Sequence, residues 1–143
     1  MKSFSTTITI NANAEQVWSL LTDSSQYPTW NESVEKLEGT IAPNEKIKVY
    51  AKITPGQAFP VKVVEFVPNQ KMVWQGGMPL GLFKGVRTFT LVSQQDGQVE
   101  FSMHEVFSGL VAPLITQSIP DLTPAFELFA ACLKKTAEQA TMS

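Results

Sequence analysis

The chain has 143 residues, of which 43% are hydrophobic and 17% are charged, and its formal net charge is −2. This length fits one globular core, whereas two independent cores would each be marginal, so we expect a single domain over residues 1–143. The near-neutral charge and the single arginine, Arg87, exclude a basic surface or an arginine cluster for nucleic acid.

The numbers of cysteines and histidines and the N-terminal sequence bear on disulfides, metal sites and cellular location. One cysteine, Cys132, excludes an internal disulfide and suits a reducing compartment. With one histidine, His104, the chain lacks the ligands of a structural zinc site, so we expect no metal and no cofactor. The first residues lack the apolar core of about 7–15 residues found in signal peptides, and no run approaches the roughly 20 apolar residues of a membrane span. We therefore expect a cytoplasmic protein without an integral membrane segment.

The N-terminal 30 residues predict a strand and short helices. Alternating residues 4–10, with Phe4, Thr6, Ile8 and Ile10 on one side, are typical of a half-buried strand. Asn13 is placed to cap a helix whose third residue is Gln16, and apolar residues at helical spacing continue that helix to about Asp23. Residues 24–30 are interpreted as one more helical turn and a loop.

Six strand-like segments follow, each bounded by turn residues. In the second segment the odd-numbered residues alternate with lysines and are expected to face inward. Thr54-Pro55-Gly56-Gln57 favours a type II turn, and Gly76-Gly77 is expected to end the fourth segment. The six segments are 34–41, 46–53, 59–67, 72–75, 82–93 and 98–108.

The register of the last hairpin follows from the parity of its apolar residues. These residues are odd-numbered on both strands, and facing residues must point to the same side of the sheet. A two-residue turn would mismatch the faces, whereas a three-residue loop at 95–97, with Gly97 in the left-handed conformation, matches them. The predicted pairs are Leu91 with Phe101, Phe89 with Met103, and Arg87 with Glu105.

The C-terminal segment carries a long helical pattern. Pro120 and Pro124 lie inside this pattern and predict a kink or short break at 119–124, followed by an unbroken helix to about Gln139. The apolar positions, spaced by three or four, are Ile115, Ile119, Leu122, Phe126, Phe129, Leu133 and Ala137. The whole order predicts an α+β helix-grip fold: a seven-stranded antiparallel sheet curved around the long C-terminal helix, with two short helices between strands 1 and 2.

The predicted order of elements resembles that of a known superfamily. The order of elements and several segments are similar to the START / birch-pollen-allergen superfamily (SRPBCC), specifically its bacterial polyketide cyclase/dehydrase and lipid-transport branch. The resemblance implies the helix-grip fold, but its members include binders, transporters, cyclases and interaction modules. Where related sequences often carry histidine, this chain has Arg87, so a histidine's role is not carried over. The matching segments are 8–12, 14–18, 27–31, 81–85 and 105–110.

Arg87 and Glu105 are the main polar candidates, since both are predicted on the apolar face of neighbouring strands. An isolated charge there would be costly, so we expect the two side chains to pair. The pair would either close the sheet structurally or form the polar end of a cavity that grips a ligand carboxylate or carbonyl. In an enzyme, Glu105 would be the base and Arg87 would stabilise an enolate.

Other candidates have a functional and a structural interpretation. Trp30 and Asn31 follow the short helix, where the resemblance implies a cavity entrance; Trp30 would stack on a ligand there or instead pack the short helices onto the sheet. His104 is expected on the surface and Cys132 as an inert buried thiol. The apolar loop at 76–83 is either a mobile lid or an ordinary hairpin loop.

These residues predict binding, carriage or sensing of a small hydrophobic molecule, such as a lipid, isoprenoid, polyketide or aromatic compound, between sheet and helix. The alternatives are a polyketide cyclase/dehydratase-like enzyme and a protein-interaction module with a filled cavity. We expect a monomer or weak homodimer. The predicted ligand-binding residues are Trp30, Asn31, Phe59, Trp74, Phe83, Arg87, Phe89, Phe101, Met103, Glu105, Phe107, Phe126 and Phe129.

Overall fold

The structure is a computed structural model that describes residues 2–117 and 119–142. The strands are β1 (Lys2–Ile10), β2 (Val34–Glu38), β3 (Lys46–Ala51), β4 (Ala58–Val67), β5 (Lys71–Met78), β6 (Phe83–Ser93) and β7 (Val99–Ser108). The helices are α1 (Ala14–Thr22), α2 (Tyr27–Trp30), α3 (Ala112–Thr116) and α4 (Thr123–Met142), with short 3-10 turns at Ser24–Gln26 and Gln95–Gly97.

The seven strands form one curled antiparallel sheet in the order β1-β7-β6-β5-β4-β3-β2. Each strand from β2 to β6 therefore pairs with the next along the chain, and β1 lies at the far edge, paired with β7. The helix α4 packs on the concave face, and α1 and α2 connect β1 to β2. This architecture confirms the predicted helix-grip fold.

The capping of α1 also agrees with the prediction. The Asn13 side chain accepts a hydrogen bond from the backbone N–H of Gln16 (2.8 Å), and the Gln16 side chain accepts one from the N–H of Asn13 (3.4 Å). Two N–H groups that the helix itself leaves unpaired are thereby satisfied. Three inward residues of the helix, Val17, Trp18 and Leu21, are buried in the core.

Replacing Asn13 by alanine is expected to lower the free energy of unfolding by about 1 kcal/mol, because one cap acceptor is lost while the core is untouched. Urea denaturation measures this change. Asn13→Ser, which retains a cap acceptor, is the matched control and is expected to change stability by less than half as much. Equal stability of Asn13→Ala and the parent would contradict a stabilising cap.

The β6–β7 hairpin has the predicted register: Leu91 lies opposite Phe101, Phe89 opposite Met103, and Arg87 opposite Glu105. The loop also has the predicted length, since the N–H of Gln94 donates to the carbonyl of Gln98 (2.8 Å). Gly97 has φ +75°, as expected, and Asp96 is left-handed as well, with φ +71°. Aspartate tolerates this conformation better than most side chains do.

Three strand boundaries differ from the sequence-based expectation. Strand β2 ends at Glu38 rather than Ile41, because Gly39 turns the chain with φ +102° beside the carbonyl of Lys46. Strand β3 ends at Ala51, and the predicted inward residue Ile53 lies in the following turn and is 41% exposed. Strand β5 does not end at Gly76-Gly77 but continues through both glycines to Met78.

The C-terminal helical pattern is interrupted as predicted, although the break begins earlier. Helix α3 ends at Thr116 and α4 begins at Thr123, so Pro120 falls in the break. Pro124 lies in the first turn of α4, where proline is tolerated because that N–H has no intrahelical acceptor. A separate α3 was not predicted, since the apolar spacing runs through the break.

Helix α4 is tied to the sheet along its length. Its inward residues Phe126, Phe129, Leu133 and Ala137 are buried. Near its end, the Lys134 ammonium donates to the carbonyl of Thr9 (2.8 Å), and the Glu138 carboxylate accepts from the N–H of Asn11 (2.8 Å). The hydrogen bond from Lys134 and then that from Asn11 hold the pKa of Glu138 below its usual value.

None of the helices in the described part of the chain is long and apolar enough to span a membrane.

Candidate ligand-binding site

A cavity of about 470 Å³ lies between the concave face of the sheet and the segment formed by α3, the break and the start of α4. Apolar side chains dominate its wall, and Arg87 and Glu105 are the two charged residues among those that line it. The cavity is therefore not filled by side chains. It lies at the end of the sheet nearest the β5–β6 turn, because the glycines 76, 77 and 85 line it there.

Nine of the predicted ligand-binding residues line this cavity: Phe59, Trp74, Phe83, Arg87, Met103, Glu105, Phe107, Phe126 and Phe129. Phe59 is 41% exposed, which places it at the solvent side of the wall. The other predicted residues, Trp30, Asn31, Phe89 and Phe101, are buried and do not line the cavity.

Three of those residues, Trp30, Phe89 and Phe101, support the cavity floor from behind. Phe129 lines the cavity, and its ring stacks on Phe101 (6.0 Å, 8°) and contacts Phe89 (6.0 Å) and the edge of Trp30 (5.7 Å, 88°). Trp30 thus packs α2 against α4, the structural alternative for this residue. Asn31 accepts hydrogen bonds from the Ser33 backbone N–H (3.0 Å) and hydroxyl (2.6 Å), so it fixes the turn into β2.

One transverse row of the sheet carries the charged groups of the cavity. Trp74 on β5 lies opposite Arg87 on β6, which in turn lies opposite Glu105 on β7. The Arg87 Nε and Nη2 both lie 2.7 Å from the same Glu105 oxygen, Oε1. The guanidinium also lies over the ring of Phe126, 4.8 Å from its centroid. The predicted pairing is confirmed, and the pair is held between the sheet and α4.

The neighbouring row has two adjacent glycines at its centre, which open the cavity. It contains Gly76 on β5, opposite Gly85 on β6, with Phe107 beyond on β7. A Cβ on Gly76 would lie 2.7 Å from the carbonyl oxygen of Pro60, so only glycine allows β4 and β5 to approach this closely. A Cβ on Gly85 would meet the Phe107 ring at 3.2 Å and Glu105 Oε2 at 3.5 Å, so it would project beside the charged pair.

Sequence reasoning missed part of the wall. Gly76 and Gly77 were interpreted as the end of a strand and Gly85 as an ordinary strand position. The β3–β4 turn residues Ile53, Thr54 and Gln57, which also line the cavity, were not predicted to belong to its wall. The shared parity of Gly85 with Arg87 and Phe83 was the available signal, because it places Gly85 on the inward face. No local sequence pattern predicts that the β3–β4 turn lines the same cavity as α3 and α4.

The β5–β6 turn is anchored at its base. The N–H of Leu110 donates to the carbonyl of Gly81 (3.1 Å), and the N–H of Val111 donates to that of Leu82 (2.9 Å). The turn is therefore joined to the segment between β7 and α3, as in an ordinary packed hairpin loop. Leu80 at its tip is 92% exposed, with φ +62°.

The remaining titratable candidates lie outside the cavity. His104 is exposed on the outer face of β7, as expected. Cys132 is buried on α4, and its thiol lies 3.6 Å from a carboxylate oxygen of Glu32. Burial raises the pKa of Tyr27, whose hydroxyl donates to the carbonyl of Leu21 (2.6 Å) behind the floor. Within residues 2–117 and 119–142 no three His, Cys, Asp or Glu side chains form a group that could hold a metal ion.

A second depression, of about 500 Å³, lies against the β4–β5 turn and the end of β6. Its wall consists of residues 69–71 and 90–93, of which five are polar and four are solvent-exposed. Ligand sites are usually concave, apolar and partly enclosed, which fits the cavity between sheet and helix and not this surface.

The fold and its internal cavity define a helix-grip protein. Residues 1–138 match the model of the "Polyketide cyclase / dehydrase and lipid transport" family, so the chain belongs to this family. The resemblance inferred from the sequence is thereby confirmed. A search of curated proteins gives no match.

Solved structures with the same fold share little sequence with the chain. The hypothetical protein jhp0584 from Helicobacter pylori has a TM-score of 0.77 at 14% identity, over 95% of this chain and 88% of its own. A START superfamily protein from Mycobacterium smegmatis has a TM-score of 0.69 at 18% identity, over 96% and 98%. The di-domain ARO/CYC StfQ from the steffimycin biosynthetic pathway has a TM-score of 0.74 at 13% sequence identity, and the match covers 99% of this chain and 52% of that one. At these identities the likeness shows the fold alone.

Proposed function

We propose that the protein binds a small hydrophobic molecule in the cavity between the sheet and α4, in order to carry or sense it. The observation that carries this proposal is the cavity of about 470 Å³, with a mostly apolar wall and one charged pair. Small-molecule sites typically combine such a volume with few polar groups. An open cavity gives less support to an interaction module whose interior is filled.

An enzyme of the cyclase/dehydratase type is the second candidate. The observation that favours it is the position of the Glu105 carboxylate, which lines the cavity and contacts Arg87 through one oxygen, Oε1. A carboxylate within reach of a bound polyketide-like substrate is a suitable general base. Turnover of such a substrate by the parent, and its loss in Glu105→Gln with binding retained, would favour this candidate over simple carriage.

Filling the hollow at Gly85 tests the binding proposal. In Gly85→Leu the new side chain is expected to occupy the space beside Phe107 and Glu105. The affinity for a hydrocarbon dye such as diphenylhexatriene should therefore fall at least about tenfold. This is the loss that accompanies removal of one well-packed group. Dye fluorescence titration measures the affinity. Native mass spectrometry of the parent is expected to show a co-purified small molecule that is absent from the variant.

The matched control is Val86→Leu, the adjacent position on the opposite face of β6. This variant enlarges an outward side chain and should leave dye affinity unchanged. Circular dichroism confirms that both variants are folded. Full dye affinity in a folded Gly85→Leu variant would show that the dye binds elsewhere and would contradict the proposal.

A further inference from the structure

The two carboxylate oxygens of Glu105 have different surroundings. Oε1 lies 2.7 Å from both Nε and Nη2 of Arg87, whereas Oε2 has no hydrogen-bond partner among residues 2–117 and 119–142. Oε2 is nevertheless not one of the buried side-chain atoms that lack a partner there, which belong to Trp30, Asn31, Thr54 and Trp74. Oε2 therefore retains accessible surface, in agreement with the 14% of the Glu105 side chain that is exposed.

The accessible oxygen lies beside the hollow at Gly85. Glu105 and Gly85 both line the cavity. A Cβ on Gly85 would lie 3.5 Å from Glu105 Oε2 and 3.2 Å from the ring of Phe107, which also lines the cavity. A ligand atom that fills the place of this missing side chain therefore comes within hydrogen-bond reach of Oε2.

The ion pair defines the chemistry of the group that suits this position. A carboxylate held by a guanidinium is an acceptor only, so its partner must be a donor. A ligand carbonyl cannot donate, and a ligand carboxylate would be repelled by Glu105. A ligand ammonium would be attracted by Glu105 but would also lie near the charge of Arg87. Because the Arg87–Glu105 pair carries no net charge, a neutral hydroxyl suits it better than either ion.

We propose that the cavity selects apolar molecules that carry a neutral hydroxyl group, which donates a hydrogen bond to Glu105 Oε2. This inference rests on the proposed binding function and adds the chemical class of the ligand. A hydrocarbon in the same hollow would remove water from Oε2 without replacing its hydrogen bond, which costs free energy. For a hydrogen bond to a charged, partly exposed group, the expected preference is about tenfold in affinity.

Three flat tricyclic probes of similar size test the inference by displacement of diphenylhexatriene. Fluorenol carries a hydroxyl, fluorenone carries a carbonyl that accepts but cannot donate, and fluorene carries no oxygen. In the parent protein, fluorenol is expected to bind about tenfold more tightly than fluorenone and also more tightly than fluorene.

The variant Glu105→Gln should reverse this preference. The Gln carbonyl can accept from Arg87 as Oε1 does, which places the amide NH₂ where Oε2 was. A donor then faces the hollow, so fluorenone should bind more tightly than fluorenol. Comparing the ratio of the two affinities between proteins cancels the different solubilities of the probes.

Met103→Leu is the matched control. Met103 is the neighbouring inward residue of β7 and lines the cavity, and leucine has a similar volume, so the preference for fluorenol should persist. Circular dichroism checks that both variants are folded. If Glu105→Gln does not fold, the double variant Arg87→Met/Glu105→Leu replaces it. This variant offers neither donor nor acceptor and should lose the preference of the parent.

The two proposals fail in distinguishable ways. Failure of diphenylhexatriene and of all three tricyclic probes to bind the parent would contradict the binding function and with it this inference. Fluorenone binding to the parent as tightly as fluorenol, or a fluorenol preference that survives in the folded Glu105 variant, would overturn the inference and leave the binding function intact.

Discussion

Replacing Phe129 by alanine is expected to lower the free energy of unfolding by about 4 kcal/mol. The Phe129 ring is buried and contacts four other rings, those of Tyr27, Trp30, Phe89 and Phe101. These rings come from α2, β6 and β7, so truncation removes the contact at which the long helix, a short helix and the sheet meet. Such a loss is a large share of a typical stability of about 5–15 kcal/mol.

Urea denaturation followed by circular dichroism measures this loss. The matched control is Leu128→Ala on the same helix, because Leu128 is 38% exposed and is expected to lose less than about 1 kcal/mol. Similar unfolding midpoints for the two variants would show that α4 does not grip the sheet through Phe129.

Much of this arrangement could be predicted because it follows from local periodicity. Alternation in 4–10 fixed the inward face of β1, and helical spacing identified Phe126 and Phe129 as core residues. The β6–β7 register needed only the parity of the apolar residues and a three-residue loop with Gly97. From that register alone, the Arg87–Glu105 pair followed, since inward charges on facing positions have to neutralise each other.

The shape of the cavity could not be predicted in the same way, because it depends on which side chains are missing. Gly76-Gly77 has the composition of a turn, yet both residues continue β5. A Cβ on Gly76 would meet the backbone of β4 at Pro60, and a Cβ on Gly77 would meet the backbone of β6 at Phe83. Trp30 and Asn31 were placed at an entrance by resemblance, whereas the packing of α2 on α4 buries both. Long-range packing, rather than local pattern, decides these positions.

The second large effect is expected at the charged pair. Replacing Glu105 by leucine should lower the free energy of unfolding by about 3 kcal/mol, since it leaves the Arg87 guanidinium unpaired against the ring of Phe126. This value is at the low end for buried pairs, because 21% of the Arg87 side chain and 14% of the Glu105 side chain remain exposed. Partial exposure lowers the desolvation cost of the remaining charge.

The double variant Arg87→Met/Glu105→Leu separates stability from function. Removing both charges leaves no unpaired group, so its unfolding free energy is expected within about 1 kcal/mol of the parent, and the coupling between the two sites should be at least about 2 kcal/mol. Thermal and urea unfolding of the parent, the two single variants and the double variant give this coupling. Single variants as stable as the parent would contradict an ion pair that matters to the fold.

Ligand titrations on the same double variant then decide what the pair does beyond the fold. If Arg87 and Glu105 only close the sheet, the double variant binds the hydrocarbon fluorene, the ketone fluorenone and the alcohol fluorenol with the parent's preference, because neither charge contacts the ligand. If the pair helps to orient the ligand, the stable double variant loses affinity for fluorenol more than for fluorene, since the hydroxyl no longer lies beside a polar row. Unchanged stability together with unchanged preference would remove the pair from the functional site altogether.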